Sequence, residues 1–383
     1  MKSVAVVVLA LLALLLVGCG SSHPTSTSIS THTGTIELPS PVGGDRDGRS
    51  TVNVYSADTP GDLSPAVRGD PALVYVPNSL SNTVDVISQR TLKVVEQFPV
   101  GAVPQHVTPS YDLRTLYVDN DVGNSLTPIN PRTGKPGQPI SVEDPYNLYF
   151  TPDGRFAIVV AERLQRLDFR DPNTMRLVHS LSVPACRGVD HMDFSADGRY
   201  AFASCEFAGR MIEVDLETQQ VVRTLVLNNG VSSPQDVKLS PDGRIVYTAD
   251  QENGGVWEID ASTFRVIGFL KTGAGAHGLY PSRNAEFMYV SNREAGSIAV
   301  VSFRTRRVVK TWQLPPPASP DMGGVSADGN TLWLSGRYNA VVYAIDTRTG
   351  RLRAAIPVGQ GPHGLCVWPQ PGRYSLGHTG ILR

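Results

Sequence analysis

The feature that most constrains this chain is a pattern written seven times between residues 70 and 370. Ser233 to Asp260, SPQDVKLSPDGRIVYTADQENGGVWEID, holds a short strand, a Pro-Asp-Gly turn, a second strand, a loop and a third strand. Laid over the other copies, Asp236 falls where His106, Asn147, His191, His277, Met322 and His363 fall, at successive spacings of 41, 44, 45, 41, 45 and 41 residues. A four-strand repeat of that period cannot bury its apolar faces alone and specifies a β-propeller.

The turns Thr151-Pro152-Asp153-Gly154, Ser195-Ala196-Asp197-Gly198, Ser240-Pro241-Asp242-Gly243 and Ser326-Ala327-Asp328-Gly329 join first to second strands, with Gly where φ is positive. Second strands are apolar, as in Leu73 to Asn78 and Ile245 to Asp250, whereas third strands alternate, as in Met211 to Asp215. First strands and third-plus-fourth strands each occur seven times, so the expected fold is all-β, a seven-bladed propeller of four-stranded antiparallel blades over 51–383. The chain enters at a second strand near Leu73, and the first strand from His363 to Val367 has no third and fourth strands after it. Pairing of these ends closes the ring and removes free edges. Tyr374 to Arg383, with His378, has no place in this scheme.

Ahead of the repeats, Met1-Lys2-Ser3 is basic, Val4 to Val17 is apolar, and Leu16-Val17-Gly18-Cys19 ends the run with small residues. This run is shorter than the ~20 residues that span a bilayer, and reads as an export signal over 1–18. The Leu-Val-Gly-Cys ending resembles the lipobox of bacterial lipoproteins, which implies that Cys19 carries the lipid anchor and that the protein sits on the extracytoplasmic side of a bacterial membrane. Residues 19–50, rich in Ser, Thr, Gly and Pro, read as a tether in which His23 and His32 are bystanders. A formal net charge of -1 with scattered Lys and Arg gives no nucleic-acid footprint, and a monomer is expected.

Tyr75-Val76-Pro77-Asn78, Tyr117-Val118-Asp119-Asn120 and Tyr289-Val290-Ser291-Asn292, with Gly361-Pro362-His363-Gly364 and Gly275-Ala276-His277-Gly278, resemble the YVTN β-propeller repeat of bacterial and archaeal surface proteins. Ala161, Cys205 and Gly336 stand where that repeat has Asn, and Ser282-Arg283-Asn284 replaces one turn. The resemblance implies the fold and little about activity.

Two rings of side chains are expected at the channel mouth, one of His106, Asn147, His191, Asp236, His277, Met322 and His363, the other of Ser79, Asp121, Glu162, Glu206, Gln251, Arg293 and Arg337. Convergent polar groups in a concave mouth mark a binding site for a small molecule or an exported protein. The histidines admit three roles. They can be structural, their nitrogens satisfied by neighbouring backbone. Alternatively, His106, His191, His277 and His363 can bind copper or zinc. In a third role, lactonases of the 6-phosphogluconolactonase type resemble this fold, and Glu162 or Glu206 with Arg293 or Arg337 would then act as base and anion holder. No hydrolase or cofactor motif accompanies them, so a binding scaffold is favoured over an enzyme.

Of the remaining cysteines, Cys366 lies inside a first strand as a buried thiol, while hairpin pairing brings Cys186 and Cys205 to one mouth of one blade. A disulfide between them is expected, the alternative being Cys205 as a soft ligand beside His191.

Overall fold

The computed structural model describes residues 52–383. Cys19, the signal segment 1–18 and the tether 19–50 lie outside the described residues. Among the described residues no helix is long and apolar enough to cross a membrane.

Seven antiparallel sheets form a ring of blades. Blade 1 joins both ends of the repeat region: Cys366–Trp368 is its innermost strand, followed outward by Leu73–Asn78, Thr83–Ser88 and Lys93–Pro99. The closure is antiparallel, with Leu73 opposite Trp368, Val74 opposite Val367 and Tyr75 opposite Cys366. Blades 2 to 7 follow in chain order, with innermost strands Pro104–Pro109, Asn147–Phe150, Val189–Phe194, Pro234–Leu239, Ala276–Pro281 and Pro320–Val325. Blade 2 departs slightly, because its outermost strand is split into Lys135–Pro136 and Ile140–Ser141.

Blade faces are apolar on both sides because each sheet is sandwiched between neighbours. One apolar cluster sits at each blade interface, as with Tyr149, Ile158 and Leu167 of blade 3 against Met192, Ala203 and Ile212 of blade 4. The closing interface is built alike, from Val74, Val76 and Val367 of blade 1 against Trp333, Val342 and Ala344 of blade 7. Each Val, Leu or Phe buried there contributes about 1.5–3 kcal/mol, so the ring is held by its interfaces rather than by one central core.

The turn glycines have the φ their position requires, +68° at Gly154, +72° at Gly198 and Gly243, and +76° at Gly329. In blade 6, where Arg283-Asn284 replaces Pro-Asp, Ala285 takes the same position at φ +55°. Arg283 is reused: its Nη1 grips Asp58 at 2.5 and 2.6 Å, which fastens the lead-in segment beneath the ring.

The segment after blade 1 turns inward and plugs the channel from the turn side. Ser375–Gly377 and Ile381–Leu382 add to the inner edge of blade 3, Gly377 opposite Tyr149. A Cβ on Gly377 would strike the Leu148 carbonyl and the Tyr149 Cα, and its φ is +112°. Only glycine allows that approach.

Candidate functional site

Five of the seven innermost strands carry a β-bulge that decides what faces the channel. In blade 7 the ladder passes from Pro320 opposite Gly336 to Gly323 opposite Leu334, so Asp321 and Met322 together face Ser335. The same step occurs at Gln105-His106, Asp190-His191, Gln235-Asp236 and His277-Gly278. A bulge leaves two successive residues unpaired, so both reach the channel where a regular strand would present one.

This register corrects the expected histidine ring. Asp321 and His277 are both first bulge residues, and His363 matches them because Pro362 bridges Asn78 as the residue before the bulge. His106, His191, Asp236 and Met322 are second residues, one step deeper. The single ring read from the spacing is therefore two layers. In the deeper layer Gly278 and Gly364 stand where histidines were expected, and a Cβ on Gly364 would collide with the His106 ring.

The upper layer places His277, Asp321 and His363 on the consecutive blades 6, 7 and 1. His277 Nδ1 lies 3.2 Å from Asp321 Oδ1 and 2.9 Å from Met322 Sδ. His363 Nδ1 lies 3.0 Å from Gln105 Oε1, and its Nε2 lies 3.6 Å from Asp321 Oδ2. Arg293 donates to Asp321 Oδ1 through Nε at 2.9 Å and Nη2 at 2.6 Å.

The deeper layer is completed by a residue the repeat pattern could not supply. His378, carried in by the plug, lies with its ring centroid 4.4 Å from His191 and 4.6 Å from His106. Asn147 ties two of the rings: its Oδ1 accepts from His378 Nδ1 at 3.1 Å and its Nδ2 donates to His191 Nδ1 at 2.8 Å. His106 Nδ1 donates to the Tyr146 carbonyl at 2.9 Å. Asp236 accepts from Lys238 Nζ at 2.8 Å and from the Leu279 amide at 2.9 Å. His106, Asn147, His191, Asp236 and His378 are fully buried, so this layer lies beneath the mouth rather than on it.

Burial sets the charge state of both layers. It pushes the His106 imidazole down to about 3. It also holds His191, His277, His363 and His378 well below the usual imidazole range, helped at His277 by the Arg293 charge and at His363 by Arg337. Five neutral imidazoles therefore fill the channel at pH 7.

The outer ring lies at the mouth as the loops require: Ser79, Asp121, Glu206, Gln251, Arg293 and Arg337 donate backbone N–H groups to the neighbouring entering loops. Its charges are segregated. Asp121, Glu162 and Glu206 occupy blades 2 to 4, whereas Arg293 and Arg337 occupy blades 6 and 7. Burial, reinforced by Glu206, pushes Glu162 up to about 7, and burial also raises Glu206. Arg337 donates to Ser79 Oγ at 3.2 Å, and among the described residues it forms no ion pair with a carboxylate.

One or two residues after these polar positions, five successive blades carry an exposed apolar side chain, with Arg163 intervening in blade 3. Tyr338, Leu80, Val122, Leu164 and Phe207, from blades 7, 1, 2, 3 and 4 in succession, are exposed by 70, 78, 47, 43 and 58%. Blades 5 and 6 carry exposed Glu252 and Glu294 there instead. At the blade 4 lip, Cys186 and Cys205 form a disulfide with Cα atoms 4.8 Å apart, and Cys366 is a buried free thiol.

The family model for YncE-like beta-propellers matches residues 62–371. The chain belongs to that family. Within the YncE-like propellers and their kin, it is 24% identical over 276 residues to a 6-phosphogluconolactonase of Serratia proteamaculans, covering 64% of this chain and 82% of that one. Over 130 residues it is 28% identical to the uncharacterized protein YncE of Salmonella typhi, covering 33% of this chain and 36% of that one. A functionally unknown protein from Desulfotomaculum acetoxidans shares the fold at a TM-score of 0.64 and 13% identity, covering 77% of this chain and 98% of that one.

Proposed function

We propose that this YncE-like propeller is a lipid-anchored binding scaffold of the bacterial cell envelope, and that its mouth docks a segment of another exported protein. The observation that carries the reading is the series Tyr338, Leu80, Val122, Leu164 and Phe207, one exposed apolar residue on each of five successive blades beside a polar, charge-segregated centre. Exposed apolar groups scattered singly need no explanation, but a series of them on one face beside charge is the pattern of an interaction surface. Anchoring follows from the lipobox at Cys19 and brings the mouth and its partner into one compartment.

The experiment is site-specific photocrosslinking in intact cells, with the crosslinker at Tyr338 or Phe207 and, as control, at Val309 on the outermost strand of blade 6. A discrete protein adduct from the mouth positions alone is expected. Equal labelling at Val309, or no adduct from either mouth position, would remove the reading.

A second reading rests on Glu162 and Arg337. A carboxyl pushed up to about 7 and an arginine without a carboxylate partner, on opposite sides of the ring, are what a lactone hydrolase needs for proton transfer and anion holding. The likeness to a 6-phosphogluconolactonase supports testing it. Purified protein should then open a phosphorylated sugar lactone faster than buffer, with Glu162→Gln abolishing the difference; equal rates would end this reading.

A further inference from the structure

Five imidazoles converge in the channel, in two sets that are chemically different. In the deeper set His106 and His378 each donate Nδ1–H to a carbonyl oxygen, which leaves Nε2 with a lone pair. His191 is the reverse. Its Nδ1 accepts from the Asn147 amide, whose orientation is fixed because its Oδ1 also accepts from the Leu148 N–H at 3.1 Å, so the neutral ring keeps its proton on Nε2. That N–H lies beside the buried Asp190 carboxylate, 3.4 Å from Oδ1, so the deeper set offers two imidazole lone pairs and no third.

In the upper set the atoms not already engaged with a neighbour all carry electron pairs. His363 Nδ1 donates to Gln105 Oε1, so its Nε2 lone pair faces Asp321 Oδ2 at 3.6 Å, acceptor against acceptor. Asp321 Oδ2 is buried and has no hydrogen-bond partner, since Arg293 takes Oδ1 alone. His277 Nδ1 is turned to Asp321 Oδ1 and Met322 Sδ, both acceptors, so its Nε2 also carries a lone pair. One ligand atom from each of the three residues lies within 4.8 Å of the others. Two nitrogen or oxygen ligands about 2.0–2.2 Å from one tetrahedral ion stand about 3.4 Å apart, close to the His363–Asp321 separation.

We infer that His277, Asp321 and His363 bind a divalent first-row transition-metal ion at the floor of the mouth. Two imidazoles and one carboxylate are the donor set of open zinc sites and of non-haem iron sites, in which the remaining positions take water or a ligand. The second shell fits as well: Gln105 fixes the His363 ring and Arg293 fixes the carboxylate, each through the atom not offered to the ion. His277 and His363 are 3 and 2% exposed against 0% for His106, His191 and His378, so the upper set is the one nearer the mouth. This inference does not depend on which partner or substrate the mouth takes.

The test uses the full chain, stripped with chelator, equilibrated with Zn2+ or Co2+ and desalted. Metal is measured by mass spectrometry and Co2+ coordination by its visible absorption. About one ion per chain is expected, with affinity lowered at least about tenfold in each of Asp321→Asn, His277→Gln and His363→Gln, and kept in His378→Gln and in His179→Gln on an exposed strand. Circular dichroism confirms that each variant is folded, and His363→Gln, which leaves the Arg293–Asp321 pair intact, serves if Asp321→Asn does not fold. No binding above that of a His277→Gln, His363→Gln double variant overturns the inference. So does loss of binding in His378→Gln with retention in Asp321→Asn, which would place the ion in the deeper set.

Discussion

Arg383 Nη2 donates to Asp193 Oδ1 at 2.7 Å, joining the plug to the innermost strand of blade 4. The Asp193 side chain is fully buried, that of Arg383 is 10% exposed, and the guanidinium stacks over Tyr55 with 4.9 Å to the ring centroid. Removing one member leaves a buried charge without its partner, so Arg383→Ala should lower unfolding stability by about 3 kcal/mol. Urea titration reads this directly. A loss under about 1 kcal/mol, the scale of a solvated pair, would mean that the plug is held by its strand pairing alone.

The Cys186–Cys205 bond closes a loop with a sequence separation of 19. In the chain-entropy account such a loop stabilises by about 3 kcal/mol, so the Cys186→Ser, Cys205→Ser variant should unfold at correspondingly lower denaturant. Intact mass after alkylation checks the bond itself. In denatured protein, two further alkyl groups should appear only after reduction, and their appearance without reductant contradicts the bond.

Glu162 gives the mouth a pH response whose sign can be stated. Its carboxyl is raised from 4.5 to about 7, so between those values the folded state holds a proton that the unfolded chain has lost. Folding stability from this group therefore falls as pH rises through that window and is level above it. Glu162→Gln should gain on the wild type from pH 4.5 to 7 in paired denaturation curves, and parallel curves would place the shift elsewhere.

Anchoring at Cys19 is tested by fractionation. Cys19→Ala should leave the membrane pellet or accumulate unprocessed, because two acyl chains hold stably where polar contacts wash off. A variant that still pellets after high-salt washing would refute the lipid anchor.

The blade count and ring closure were legible because each depends on repetition. Seven first strands, seven third-plus-fourth pairs and an unpaired strand at each end of the repeats admit one closed arrangement. The layering of the channel was less legible, since spacing alone aligned His277 and His363 with His106, one residue out of step. A signal was present: Pro104, Pro145, Pro234, Pro320 and Pro362 each stand just before the first channel residue of their blade, and aligning prolines would have grouped His363 with Asp321. Asp321 was passed over because strand alternation allows one inward residue, and only a bulge delivers two. His378 could not be placed because its segment meets blade 3 through a few backbone contacts and one glycine, with no periodicity to announce them.

The pairing of Leu73–Tyr75 with Cys366–Trp368 also sets a timetable. Residue 368 is made long after residue 73, and at about 5–20 residues per second of synthesis the interval is tens of seconds. Until then the inner edge of Leu73–Asn78 is a bare template for any passing strand. Blades 2 to 7 can assemble as an open arc, but its gap is filled only by Cys366–Trp368, which is made after all six of them, so a chain cut short before Cys366 is a sticky intermediate rather than a smaller propeller.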